Sequence, residues 1–204
     1  MGLLISRGIY LKAGVHKGST KKTKYMKKFI LKTAPTGLNF LNLRKVDERI
    51  RIAANFLSHK KEIVIFCKSR EEEIFKKMAS LIGAKLMTKY PAGFITNPQG
   101  KVFMEPEVAL ITDIKYFKNG VKELAEEGIP IVALCNTDSC PNNVDFIIPV
   151  NIRNKNALFL VAYLLTKEIL RLRKEGELSM KDFKSVDSKE DSQSDQEDEE
   201  KSKN

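Results

Sequence analysis

Five short runs of apolar residues constrain the fold of this 204-residue chain more than any other feature. Continuous runs of this length, rich in Val, Ile and Leu, are typical of strands that are covered on both faces. Because helical segments separate them, they predict right-handed crossovers and a doubly wound parallel sheet, which is an α/β fold. The runs IVIFC, AKLMT, VALIT, IVALC and DFIIPV occupy residues 63–67, 84–88, 108–112, 131–135 and 145–150.

Helical periodicity is found before, between and after these runs. Ser69 and Glu72 have the spacing of a capping box, and Gly83 is a typical residue to end the helix that they open. The last helix is expected to bury an apolar stripe that extends to Leu172. The expected helices cover residues 46–57, 69–82, 119–127 and about 155–174.

The first 46 residues are strongly basic. They carry 11 Lys and Arg and no acid, and such a run repels itself unless a polyanion lies nearby. Apolar residues are interleaved with the lysines, and Gly14 and Gly18 around His16 allow a tight backbone path, so the segment is expected to pack on the protein. We interpret it as a segment that binds phosphates of folded RNA, since an ammonium group binds phosphate without fixed geometry. The candidate residues are Lys12, His16, Lys17, Lys21, Lys22, Lys24, Lys27, Lys28, Lys32, Arg44 and Lys45, with Arg153 and Lys155 before the last helix as a second patch.

The other end of the chain has the opposite charge. Residues 187–204 contain eight acids, three lysines and no aliphatic or aromatic residue, so a disordered acidic tail is expected. Its net charge is −5, which leaves +15 on the rest of a chain whose total is +10. We therefore expect an RNA-contacting segment (1–46) packed on an α/β domain (47–186), followed by the tail.

Two aspartates at expected strand ends are the candidates for catalysis. Doubly wound sheets bind ligands at the carboxyl ends of their strands, and Asp113 and Asp138 follow the third and fourth apolar runs. Aspartate is also an ordinary turn residue at such positions, and we favour that interpretation. The chain has no Walker A sequence, no G-x-S-x-G motif and no glycine fingerprint after its first run. No catalytic residue, cofactor or small-molecule substrate is predicted, and an enzyme acting on an anionic substrate is kept as an alternative.

Membrane attachment is a second alternative. Gly2 and Ser6 match the loose myristoylation pattern, and the lysine-rich segment that follows supplies the second signal of a lipid anchor. Against this, the longest apolar run is about half as long as a membrane-spanning helix, so we expect no membrane partner. The three cysteines are sparse and odd in number, which indicates reduced thiols and neither a disulfide framework nor a metal site.

Several segments together resemble one family, the small ribosomal subunit protein two family, whose eukaryotic member is ribosomal protein SA, the laminin receptor precursor. The resemblance runs from about residue 8 to residue 173. It rests on YLKAGVHKGSTKKTKYMKKFI, TGLNFLNLRKVDERIRIAANFL, PAGFITNP, EPEVALITD and GIPIVALCNTDSCPNNVDFIIPVN, which follow one another in the family's order.

The resemblance implies a flavodoxin-like sheet and a structural, non-catalytic protein of the cytoplasmic ribosome. The implied partners are small-subunit ribosomal RNA, neighbouring ribosomal proteins and mRNA near its exit. The archaeal or eukaryotic branch is favoured, because the inserted helical hairpin of bacterial relatives is absent. One departure concerns residues 114–117, which read Ile-Lys-Tyr-Phe where those relatives have a Pro-Arg-rich turn.

Overall fold

A computed structural model describes residues 2–91, 93–100 and 103–185 of the chain. The expected acidic tail, 187–204, lies outside the described residues. Within them, the strands are β1 (Ile30–Thr33), β2 (Asn39–Leu41), β3 (Ile63–Phe66), β4 (Lys85–Met87), β5 (Val108–Ile111), β6 (Ile131–Cys135) and β7 (Phe146–Pro149). The helices are α1 (Arg7–Ala13), α2 (Leu43–Ser58), α3 (Glu72–Ile82), α4 (Lys118–Glu126), α5 (Lys155–Arg173) and α6 (Met180–Ser185).

Strands β3 to β7 form one parallel sheet, in the order β4-β3-β5-β6-β7. This is the flavodoxin-like order, so the predicted α/β class and the five predicted strands are confirmed. Every residue of β3, β5 and β6 is buried, which explains why these strands read as unbroken apolar runs.

Helices cover both faces of the sheet. From β3 the chain crosses through α3 to β4, toward one edge of the sheet, and from β5 it crosses through α4 to β6, toward the other edge. Because such connections are right-handed, α3 and α4 lie on opposite faces of the sheet. Helices α2, α3 and α5 pack together as one layer. On the α4 side, the Phe66 ring meets three rings, those of Tyr90, Phe94 and Phe117, at centroid distances of 5.2–5.7 Å.

Two details of the expected helices are wrong. The capping box does not form: Ser69–Glu71 is a 3-10 turn without a side-chain cap, because buried Glu71 accepts a hydrogen bond from Thr112 Oγ1 at 2.9 Å and tightens the first turn. Leu172 is 41% exposed, since the next residue, Arg173, turns inward and donates to three backbone carbonyls at the ends of α2 and α3. The stop at Gly83 is confirmed by its left-handed backbone, with φ of 70°.

The lysine-rich segment folds against the body of the protein. Strands β1 and β2 pair as an antiparallel hairpin separate from the main sheet, and α2 begins at Leu43 with the Asn42 side chain as its N-cap. The boundary expected at residue 46 therefore falls inside α2.

Candidate nucleic-acid interface

Buried Asp47, in the first turns of α2, fixes the start of the lysine-rich segment. One carboxylate oxygen accepts hydrogen bonds from the hydroxyl of Tyr10 and the backbone N–H of Leu4, both at 2.8 Å. The other oxygen pairs with Arg51 Nε at 2.9 Å. Burial, and then the hydrogen bond to Asp47, raise the pKa of Tyr10, so its hydroxyl stays a donor at neutral pH. Asp47 thus ties the N-terminal residues and α1 to α2.

The end of α1 is held by the loop between β7 and α5. Gly14 ends the helix in the left-handed region, with φ of 72°. The side-chain amide of Asn154 donates to the Ala13 carbonyl at 3.0 Å, and that of Asn151 donates to the Gly14 carbonyl at 3.3 Å. The lysine-rich segment therefore starts at a fixed point beside the carboxyl end of β7.

Residues 18–23 cross the carboxyl end of β6. The backbone N–H of Ser19 donates to Thr137 Oγ1 at 2.7 Å, and that of Thr23 donates to the Thr137 carbonyl at 3.0 Å. The Thr23 hydroxyl donates to the Ser139 carbonyl at 2.8 Å. This approach requires a glycine, because a Cβ on Gly18 would lie 2.4 Å from Thr137 Cγ2. The chain thus covers with its own backbone part of the edge where doubly wound enzymes bind ligands.

The hairpin is joined to this loop by buried Asn39. Its side-chain amide donates to the carbonyls of Ser19 and Thr20 at 2.7 and 3.0 Å, and its Oδ1 accepts from the Thr33 hydroxyl at 2.8 Å. The Gly18 N–H donates to the Asn39 carbonyl at 2.8 Å. Hydrogen bonds therefore tie the loop to the hairpin and, through Thr137, to the body.

Ten exposed cations lie on this anchored segment, and we call them the basic surface. Among the described residues, none of them pairs with a carboxylate. Lys45 donates instead to the Lys28 carbonyl, and the ammonium groups of Lys28 and Lys32 lie 5.1 and 5.9 Å from the ring centroids of Phe29 and Phe40. The basic surface comprises Lys12, Lys17, Lys21, Lys22, Lys24, Lys27, Lys28, Lys32, Arg44 and Lys45.

His16 differs from the other candidate residues. Its ring stacks on Phe40 at 5.6 Å, and its Nδ1 is buried and meets no hydrogen-bond partner in the described part of the chain. Burial first, and then the charge of Lys17, lower the pKa of His16, so the ring is neutral at pH 7. His16 therefore packs the loop onto β2 without adding positive charge, and its contact with RNA stays a prediction.

The two residues of the second candidate patch, Arg153 and Lys155, have different environments. Arg153 pairs with Asp138 Oδ2 at 3.1 Å, and Lys115 pairs with the same oxygen at 3.0 Å. Burial tends to raise the pKa of Asp138, but the hydrogen bond and charge of Lys115, with the charge of Arg153, outweigh it and lower that pKa. Lys155 is exposed and lines, together with Lys12, a cavity of about 600 Å³. Lys155 thus extends the basic surface, whereas Arg153 is partly neutralised.

The candidate catalytic groups occupy structural positions. Asp113 Oδ1 accepts from the Lys115 N–H at 2.9 Å and Oδ2 pairs with Lys68, which confirms the turn interpretation of this aspartate. Cys67 and Cys135 are buried strand-end thiols. Burial raises the pKa of Cys67 to about 12, which keeps it protonated.

The described part of the chain holds neither a candidate metal cluster nor a membrane-spanning helix. No group of three or more His, Cys, Asp or Glu side chains there is placed to hold a metal ion. No helix there is both long and apolar enough to cross a bilayer.

Comparison with known proteins gives consistent matches. The profile of the family described as "Ribosomal protein S2" matches residues 100–171. The small ribosomal subunit protein uS2 of Nanoarchaeum equitans is 40% identical over 177 residues, which are 85% of this chain and 88% of that protein. The uS2 proteins of Ignicoccus hospitalis and Korarchaeum cryptofilum are each 41% identical, over 87% and 84% of this chain and 85% and 81% of their own lengths.

The chain belongs to the ribosomal protein S2 (uS2) family. The resemblance noted in the sequence is thereby confirmed, including its archaeal character, since these three relatives are archaeal. Proteins of this family are structural components of the cytoplasmic ribosome and not enzymes.

Sequence reasoning missed the anchors of this uS2 chain. Thr137 and Asn154 hold the lysine-rich segment, yet the sequence did not identify either residue as an anchor. Asn154 has a local signal, because its side chain also caps α5 by accepting from the Asn156 N–H at 3.0 Å. Thr137 has no such signal, since the Ser19 N–H that donates to its side chain lies 118 residues away in the chain.

Proposed function

We propose that this uS2 chain is a structural constituent of the small ribosomal subunit that binds folded ribosomal RNA through its basic surface. The observation that carries the proposal is the set of ten exposed cations on an anchored segment, without carboxylate partners among the described residues. Like charges held this close are unfavourable in the free protein. RNA phosphates relieve that repulsion and release counterions, which supplies binding free energy.

The chemistry of the basic surface favours phosphate contacts over base recognition. Nine of its ten cations are lysines, which act as point charges, whereas base edges are usually read by planar groups such as the Arg guanidinium. Phosphate contacts fix position and orientation on an RNA without reading its sequence. Because the segment is held at Asp47, Thr137 and Asn39, these charges have a fixed arrangement, which suits one shape of folded RNA.

The body also offers surface for neighbouring ribosomal proteins. Ile52 and Phe56 lie one turn apart on α2 and are 43% and 36% exposed. An apolar pair of this kind on a helix suits a protein neighbour better than RNA. A position near the mRNA exit stays a prediction.

The test is the salt dependence of binding to small-subunit RNA. Each phosphate contact contributes about 0.7–0.9 to the slope of log affinity against log salt. Replacing Lys21, Lys22, Lys27 and Lys28 with Gln should therefore lower the slope by up to about 3.6. The matched control replaces exposed Lys61, Lys85, Lys122 and Lys181 with Gln and changes the net charge equally.

The control variant should keep a slope near that of the wild type. Equal slopes for the two variants would mean that net charge, and not the basic surface, determines binding. If the variant at Lys21, Lys22, Lys27 and Lys28 keeps the wild-type slope while the control variant does not, the RNA contact lies elsewhere on the protein.

A further inference from the structure

The turn between β5 and α4, residues 114–117, presents an aromatic ring to solvent. Ile114 and Phe117 are buried, whereas Lys115 and Tyr116 between them are exposed. Tyr116 is 56% exposed, which is high for so large a side chain. The turn thus uses its two apolar ends as anchors and holds the tyrosine outside the core.

The Tyr116 ring has a defined orientation despite its exposure. It meets the Phe117 ring edge-on, with centroids 4.8 Å apart and planes at 82°. The ammonium of Lys68 lies 5.3 Å from the ring centroid, and Lys68 is itself held by Asp113. A ring fixed in this way loses little conformational entropy when a ligand stacks on it.

An open cavity of about 370 Å³ lies next to this ring. Its wall includes the Tyr90 ring, which packs so closely on α4 that a Cβ at Gly120 would lie 2.5 Å from Tyr90 Cδ2. Lys89 and Lys118 line the same cavity and are exposed, and no acidic residue is among the described residues that line it. Aromatic rings and two cations therefore face one small space.

We propose that this cavity binds one unpaired nucleotide of RNA, with its base stacked on Tyr116 and its phosphate held by Lys89 and Lys118. Base–aromatic stacking beside lysines that neutralise the backbone is the usual chemistry of single-strand recognition. A cavity of this volume is at the small end of ligand sites and admits one base. A duplex does not bind there, because its bases already stack on one another. The site rests on the proposed function for its ligand class, but it is separate from the basic surface.

A tryptophan reporter tests the site directly. The chain contains no Trp, so Tyr116→Trp introduces a single reporter at the cavity. Hexauridylate should quench its fluorescence, whereas a blunt RNA duplex and a hexaglutamate peptide should not. The control reporter is Leu172→Trp, on the last turn of α5, where hexauridylate should leave the fluorescence unchanged.

Affinity measurements on the native site complete the test. Tyr116→Ala should weaken hexauridylate binding about ten-fold, because it removes one stacking platform, whereas Tyr116→Phe should bind within about two-fold of the wild type. Equal affinities for the Ala and Phe variants, or equal quenching by duplex or by hexaglutamate, would overturn the proposal.

The site and the proposed function can fail separately. Replacing Lys21, Lys22, Lys27 and Lys28 with Gln should weaken binding of folded ribosomal RNA and leave the quenching at position 116 in place. Quenching by hexauridylate in a protein that does not bind ribosomal RNA would retain the site and reject the ribosomal function. Ribosomal RNA binding without quenching would reject the site alone.

Discussion

Substituting Gly18 with alanine should detach the loop that carries the basic surface. The new Cβ would lie 2.4 Å from Thr137 Cγ2 and 2.7 Å from the Asn39 carbonyl oxygen, and real Cβ atoms essentially never come this close to other atoms. The loop must therefore move, and it loses the hydrogen bonds from the Gly18 and Ser19 N–H groups. Two hydrogen bonds at about 1 kcal/mol each, with about 1 kcal/mol of strain, give a loss of about 3 kcal/mol in the free energy of unfolding.

Thermal denaturation measures this loss. For a domain of this size, 3 kcal/mol corresponds to a fall in Tm of about 6–12 °C. Gly8→Ala is the matched control: its Cβ meets nothing within 4 Å in α1, so it should raise stability by up to about 1 kcal/mol. Adding Thr137→Ser to Gly18→Ala removes the Cγ2 clash but not the approach to the Asn39 carbonyl, so only about 1 kcal/mol should return. An unchanged Tm for Gly18→Ala, or full rescue by Thr137→Ser, would refute the described docking of the loop.

Three further predictions concern charge and reactivity. Asp138→Asn should cost less than about 1 kcal/mol at pH 7, because the two cations are more than half exposed. Folding lowers the pKa of Asp138, so this cost is fully present above the ordinary carboxyl pKa of about 3.9 and should vanish as pH falls through the lowered pKa. Denaturant titrations of both proteins from pH 7 to pH 2 test whether the difference in stability decreases in this way. Removing residues 187–204, which carry a net −5, should strengthen binding to unrelated RNA at low salt and not at high salt, with little change in Tm; weaker binding after removal would contradict this. A thiol reagent should modify exposed Cys140 quickly and buried Cys67 and Cys135 only on unfolding, as mass spectrometry would show; fast labelling of all three would contradict the described core.

The main sheet could be predicted from the sequence because its signal is local. Strands β3, β5 and β6 are buried on both faces, so each is an unbroken apolar run that can be recognised in the sequence. Gly83 marked the end of α3, because glycine readily adopts the left-handed backbone conformation that ends a helix. The capping box failed because a long-range hydrogen bond between Glu71 and Thr112 overrode the local pattern.

The lysine-rich segment could be predicted only in part. Its charge and its interleaved apolar residues indicated a packed RNA-binding surface, and the structure buries Tyr10, Val15 and Met26. The hairpin β1–β2 was missed because its strands are only four and three residues long and β1 is mostly exposed. Neither ILKT nor NFL alternates between apolar and polar residues, so the sequence carries no strand signal there. The docking on Thr137 connects positions 118 residues apart, and such contacts have no local signature.

Sedimentation of a cell lysate through a sucrose gradient tests the central claim most directly. At low salt the protein should sediment with small ribosomal subunits, and a high-salt wash should move it toward the top of the gradient, because phosphate contacts weaken with salt. The variant with Lys21, Lys22, Lys27 and Lys28 changed to Gln should remain near the top at a salt concentration where the wild type and the charge-matched control still sediment. A wild-type protein that stays at the top at low salt, or a variant that sediments like the wild type at every salt concentration, would contradict RNA binding through the basic surface.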